Sequence, residues 1–258
     1  MWVRGAASPW LEANTCRANR QSGLAFADAA GGTARANRCE ENAHHGFLID
    51  GGAMPTLEEN AAKVNRWAGL CFQGRSGGLA SRNVAKANGL SGIGVYDEAQ
   101  PALEANSVCE NRASGITYMQ RAGGTACANR CEGNEANGIE VQDSASPLLL
   151  RNVCRANRWR GLAYFGTTEG LACHNQCLDN GKAGIALRDH AQPIIEDNLA
   201  TGNGEGGLVY HDQAGGTARR NHLAGNEGGQ LAIGAQARPH VTDNVLEPAP
   251  RPSVAKGA

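Results

Sequence analysis

Apolar residues recur in this chain on a fixed beat of twenty-three. Nine glycines, Gly23, Gly46, Gly69, Gly92, Gly115, Gly138, Gly161, Gly184 and Gly207, are each followed by a large apolar residue, from Leu24 and Phe47 to Ile185 and Leu208. A second apolar residue stands two further on: Phe26, Ile49, Phe72, Val95, Tyr118, Val141, Tyr164, Leu187 and Tyr210. Apolar residues two apart behind a glycine predict a short strand with one face inward. A second short strand is predicted around Leu11, Leu57, Leu103, Leu149 and Ile195, and a third around Cys16, Cys39, Ala62, Ala85, Val108, Cys131, Cys154 and Cys177. Three brief strands per repeat with no helical stretch describe one coil of a parallel β-helix, an all-β solenoid of about eleven coils.

Polar positions keep the same register. One asparagine series runs Asn14, Asn37, Asn60 and onward to Asn244, and a second runs from Asn19 and Asn42 to Asn226, with no insertion in either. Asparagine tolerates the left-handed backbone of a sharp turn, and stacked amides can bond one another from coil to coil. The glycines are expected to permit a turn before each strand. A longer period lies over the first. Pro9, Pro55, Pro101, Pro147, Pro193 and Pro239 alternate with Gly32, Gly78, Gly124, Gly170 and Gly216, and aromatic inward positions alternate with aliphatic ones. The unit is therefore a two-coil module of forty-six residues, whose alternating sizes fill a core evenly.

The segments PALEANSVCENRASGITY and QPIIEDNLATGNGEGGLVY resemble bacterial right-handed parallel β-helix repeats of the pectin-lyase-like group. These include the repeats of carbohydrate-binding proteins and sugar hydrolases and of a periplasmic copper-maturation protein, and they are similar to the repeats of F-box β-helix proteins. The resemblance covers residues 1–246 and implies a single right-handed solenoid domain. It leaves function open, because this scaffold carries many activities. The catalytic patterns of polygalacturonases, pectate lyases and alginate epimerases are not found in the chain. Three methionines and seven dispersed histidines form no soft-ligand cluster, so neither a copper site nor any other metal or cofactor is expected.

The formal net charge of −1 gives no electrostatic case for nucleic acid. No apolar run reaches spanning length, so membrane insertion is not expected. No signal-peptide core is visible, which points to the cytoplasm if the chain is complete. Val3, Gly5 and Pro9 already fall in register, so the chain opens in mid-coil, as part of a larger protein would, and uncapped coils invite end-to-end association. Residues 247–258, rich in proline, read as a tail or linker. The odd cysteine count and the scattered positions favour reduced thiols in the core. The pairs Cys127/Cys131 and Cys173/Cys177 make a poor zinc site, because a turn separates their sulfurs.

Two constellations carry candidate chemistry. Arg20, Arg66, Arg112 and Arg158 recur every forty-six residues, with Trp67 and Trp159 following two of them and Arg160 following Trp159. Planar guanidinium donors suit carboxylate or sulfate, and tryptophan suits a sugar face, so this line is the candidate binding surface for an acidic polysaccharide. The second constellation is Asp189, His190, His211 and Asp212, with the two aspartates in one slot of consecutive coils; it is a candidate acid/base site. The leading expectation is a non-catalytic recognition or scaffold module that binds polysaccharide or a protein partner on a flat face. The alternatives are a diverged polysaccharide lyase, hydrolase or epimerase, and a spacer without a ligand site.

Overall fold

The computed structural model describes residues 1–247. The chain winds into three parallel sheets of eleven strands each. The first sheet runs from Trp2–Val3 through Leu24–Phe26 to Leu231–Ile233, the second from Trp10–Glu12 to His240–Thr242, and the third from Thr15–Arg17 to Val245–Glu247. Every strand pairs with its copy one coil away, as Leu70 with Ile93 and Cys131 with Cys154. Eleven rungs at a strand spacing of about 4.8 Å make a rod on the order of 50 Å long. Among the described residues there is no helix. The proline-rich tail expected at 247–258 lies, apart from Glu247, outside the described residues.

The core follows from the period-two pattern. In the first sheet the outer residues of each strand point inward, as Leu70 and Phe72 do. In the second and third sheets the central residue does, as Leu57 and Ala62 do. They join one continuous apolar cluster along the rod. Each buried leucine or phenylalanine contributes about 1.5–3 kcal/mol relative to exposure. All nine cysteines are free thiols, and Cys131, Cys154 and Cys177 stack on successive rungs of the third sheet.

The asparagines bond from coil to coil as their spacing predicts, but the left-handed turn is not theirs. The left-handed residue is the one just before each of them: Ala105 at φ 50°, Ala128 at φ 55°, Glu110 at φ 57°. The asparagine itself points inward and is buried. Asn129 Oδ1 accepts from the backbone N–H of Asn106 at 3.0 Å and from its Nδ2 at 2.9 Å. Asn129 Nδ2 donates to Leu103 O at 2.9 Å and to Asn152 Oδ1 at 3.0 Å. The second ladder repeats this, with Asn134 Oδ1 accepting from Asn111 N at 3.1 Å and from Asn111 Nδ2 at 3.0 Å. Turn amides that face the core and cannot reach water are satisfied in this way.

The strand-leading glycines likewise differ from expectation. Gly115 has no left-handed φ; what excludes a side chain there is the next coil. A Cβ on Gly115 would lie 2.6 Å from Gly138 O and 2.9 Å from the Cys131 Cβ. Gly115→Ala must push two coils apart and is expected to lower stability by about 2–3 kcal/mol. Urea unfolding checks this, and a loss below about 0.5 kcal/mol would refute the close-packing account.

Candidate binding groove over the first sheet

The central residue of each first-sheet strand points away from the core, yet Cys71, Thr117, Ala163 and Ala186 are buried. The expected flat face is therefore a groove. Side chains of the segments before and after each strand rise on both sides of it. Ala183, Ala186 and Val209 form an apolar cluster of their own on its floor, separate from the core. At Gly94 the floor is bare, and the Tyr96 ring lies across it, 2.5 Å from where a Cβ would stand. Burial pushes the Tyr96 hydroxyl up to about 12.

One wall begins with Trp67, stacked on His44 with centroids 4.1 Å apart and meeting His45 edge-on at 5.1 Å. Further along, the wall drops at Ala113 and Ala136 and rises again at Trp159. This notch opens a pocket of about 590 Å³ lined by Ser91, Tyr96, Ser114, Thr117, Met119, Glu140 and Trp159, with Arg112, Arg158 and Glu135 at its rim. Its floor is a hydrogen-bonded chain. Ser91 and Thr117 hydroxyls meet at 2.7 Å. Asn137 Nδ2 donates to Glu140 Oε2 at 2.7 Å, as does the Ser114 hydroxyl, and Gln142 Nε2 donates to Oε1. The backbone N–H of Arg160 donates to Asn137 Oδ1 at 3.2 Å, which ties the next coil to the same network.

Beyond Glu140 the groove turns basic. Arg160 is only 8 % exposed, its guanidinium 5.8 Å from the Phe165 ring. Its Nε is buried without a hydrogen-bond partner, and so is that of Arg188. Burial, then the neighbouring Arg188, push the Arg160 guanidinium below its ordinary value. His211 closes the series. Its imidazole is also held below its usual value, first by burial and next by Arg188 and Arg160, so it is neutral at pH 7. Glu205 is close enough to act weakly on both Arg160 and His211.

The right-handed β-helix region family matches residues 1–106, 63–175 and 91–246. The chain belongs to that family. Comparison of its sequence with curated proteins gives no match. Among solved structures, this β-helix is similar to the periplasmic alginate epimerase AlgG, at 13% identity and a TM-score of 0.70, covering 92% of this chain and 74% of that one. It is also similar to the A-module of the Azotobacter vinelandii mannuronan C-5 epimerase AlgE4, at 15% identity and a TM-score of 0.59, covering 95% and 87%. Identities this low establish a shared fold alone.

The β-helix divides the arginine line. Arg112, Arg158 and Trp159 meet at the pocket, with Glu135 standing between the two arginines. Arg20, Arg66 and Trp67 occupy the same edge in earlier coils, outside the pocket, and one face of Trp67 is covered by His44. Arg160 is not on that edge at all; it lies buried on the floor. The acid/base quartet is broken up. Asp189 Oδ2 accepts from Gly166 N at 2.8 Å, and Asp212 Oδ2 from Asp189 N at 3.3 Å, both from left-handed turns. Those carboxylates hold backbone, His190 is exposed on the same turn, and His211 alone reaches the groove. Glu140 was missed although legible: it is the one carboxylate in the column Ala25, Leu48, Cys71, Gly94, Thr117, Glu140, Ala163, Ala186, Val209.

Two other features compete with the groove and carry less. A recess of about 750 Å³ opens where Gly51 and Gly74 leave a turn without side chains, but its Arg121 and Arg75 both pair with Glu98. Ligand atoms of Cys173, His174 and Asp197 lie within 4.8 Å of one another, a grouping that sequence spacing did not expose. Arg220 occupies both Asp197 oxygens at 3.0 and 3.2 Å, so that carboxylate is already paired with a protein cation, and burial, then Asp197, hold the Cys173 thiol up.

His45, 9 % exposed with Nδ1 unpartnered, gives the wall a pH dependence. Burial, then His44, lower it to about 4. Its unfolded value is near 6.5, so the unfolded chain binds the proton first as pH falls. Stability is therefore full above pH 6.5 and declines toward pH 4, by up to about 3 kcal/mol. Urea midpoints at pH 7 and 4.5 for the native protein and His45→Gln test this; equal losses in both would rule His45 out.

Proposed function

We propose that the groove over the first sheet receives a chain of acidic sugars, making this β-helix a recognition module for an acidic polysaccharide. The observation that carries the reading is Arg160. A buried guanidinium whose Nε has no protein partner is costly, and a ligand carboxylate entering beside Arg188 would relieve it. Trp159, Tyr96 and Phe165 offer ring faces along the same path, and Arg112 and Arg158 add charge at the rim. The similar solved structures include epimerases of alginate, itself an acidic polysaccharide, which supports the ligand class.

A second reading, turnover, is favoured by His211. A neutral imidazole beside two guanidiniums can take the proton next to a uronate carboxylate, whose charge the arginines offset. Return of a proton to the opposite face would epimerise the sugar; expulsion of the 4-linked oxygen would cleave the chain.

Polymannuronate, polygalacturonate and a neutral glucan, incubated in D₂O, separate these readings. Salt-sensitive binding to the acidic polymers, lost in Arg160→Met but not in Arg20→Ala, with no exchange at C5, is the recognition result. Loss of the C5 proton signal or new unsaturated ends, abolished in His211→Gln, is the enzymatic one. Binding to none of the three polymers would remove both.

A further inference from the structure

We infer that the groove selects acidic polysaccharides in which a charged sugar alternates with an uncharged one, through the carboxylate of Glu140. The inference rests on the reading of the groove as an acidic-polysaccharide site and narrows it. Glu140 is the one carboxylate in the outward column of the first-sheet floor. Ser114, Asn137 and Gln142 all donate to it, so it is held in one place on the floor. A carboxylate has about four acceptor positions, and three are taken by these donors. What remains suits a sugar hydroxyl and repels a second carboxylate.

Arg160 follows one coil later, and its N–H holds the same asparagine that holds Glu140. One coil rises about 4.8 Å, close to one sugar unit of an extended chain, so a polymer lying along the groove meets the two groups in consecutive units. The unit over Glu140 sits in the pocket between Tyr96 and Trp159, whose volume of about 590 Å³ admits a pyranose ring. Its ring faces are thus served by aromatics while its edge meets an anion. The next unit meets Arg160, whose Nε is unpartnered, with Arg188 a coil further along. A neutral unit followed by an acidic one satisfies both positions; two acidic units in succession satisfy one and oppose the other.

The test is calorimetric titration of the native protein, Glu140→Gln, Thr117→Glu and Arg160→Met with two polymers of matched length. One alternates glucuronate with N-acetylglucosamine, and the other is polymannuronate. The native protein is expected to bind the alternating polymer about tenfold more tightly, like-charge juxtaposition being the discriminating element. Glu140→Gln keeps the shape and should narrow the ratio to below about threefold by tightening the homopolymer. Thr117→Glu adds a carboxylate one coil earlier in the same column, under an acidic unit of either polymer, and should weaken both alike without changing the ratio. A ratio unchanged in Glu140→Gln, or a native preference for the homopolymer, overturns the inference while leaving acidic-polysaccharide binding intact. Weakening of both polymers alike in Arg160→Met confirms the underlying reading. No native binding to either polymer, or no effect of Arg160→Met, ends that reading and this one with it.

Discussion

Asn129→Ala is expected to lower the unfolding free energy by about 3–6 kcal/mol, the largest loss from any single polar substitution in the molecule. The substitution breaks three hydrogen bonds that buried groups make to Asn129. Asn106 loses the acceptor of its backbone N–H and of one Nδ2 hydrogen, and Leu103 O loses its donor. Each such loss costs about 1–3 kcal/mol, and Asn129 is fully buried, so water cannot replace the amide without opening the coil. Asn14→Ala is the control. Asn14 donates to Asn37 Oδ1 at 2.9 Å but accepts from no coil below, so its loss should stay below about 1 kcal/mol. Equal effects at the two positions in urea unfolding would show that the ladder works rung by rung through turn propensity and not through stacking.

The second large effect runs in opposite directions for stability and binding. Arg160→Met keeps the length and apolar stem of the side chain over Phe165 and removes a buried charge whose Nε is unpartnered. Stability should rise by about 1–3 kcal/mol, as replacement of buried charge by apolar bulk commonly does. Affinity for an acidic polymer should fall by about 2–5 kcal/mol, the range for losing one partner of a desolvated charge pair. A protein that melts lower and binds unchanged would make Arg160 a structural cover for Phe165. Thermal melting and titration on one preparation give both readings.

The period made the solenoid legible, because twenty-three residues return every strand to its own copy, as Leu70 to Ile93. Its local reasons were less so. Asparagine spacing implied a turn and a stack of amides: the left-handed φ falls on Ala128 instead, while Asn129 bonds Asn152 as the stack requires. Gly115 is required by the approach of Gly138, a neighbour twenty-three residues away that no local rule consults. The candidate site was half visible. Arg112, Arg158 and Trp159 meet at one pocket as their shared edge implied. The aspartates failed because any carboxylate in that turn slot can reach the backbone N–H one coil below, as Asp189 reaches Gly166. Glu140 was overlooked, and Arg160 was expected on the outer edge with Trp159, because a groove depends on how high the flanking side chains rise, and strand periodicity says nothing about that.

The asparagine ladders also give the rod a polarity. One Nδ2 hydrogen of each asparagine bonds the Oδ1 of the later coil, from Asn37 with Asn60 to Asn198 with Asn221, while the other returns to a backbone carbonyl of the earlier coil. Amide dipoles aligned this way reinforce one another along the axis, as chains of hydrogen bonds do. A new two-coil module can therefore be spliced in at any turn without altering a neighbour, since it presents the donor its successor needs and the acceptor its predecessor needs. Growth by duplication is permitted in one orientation only, and an inverted module would set oxygen against oxygen. The uninterrupted register of both series is what such a one-way building rule leaves behind.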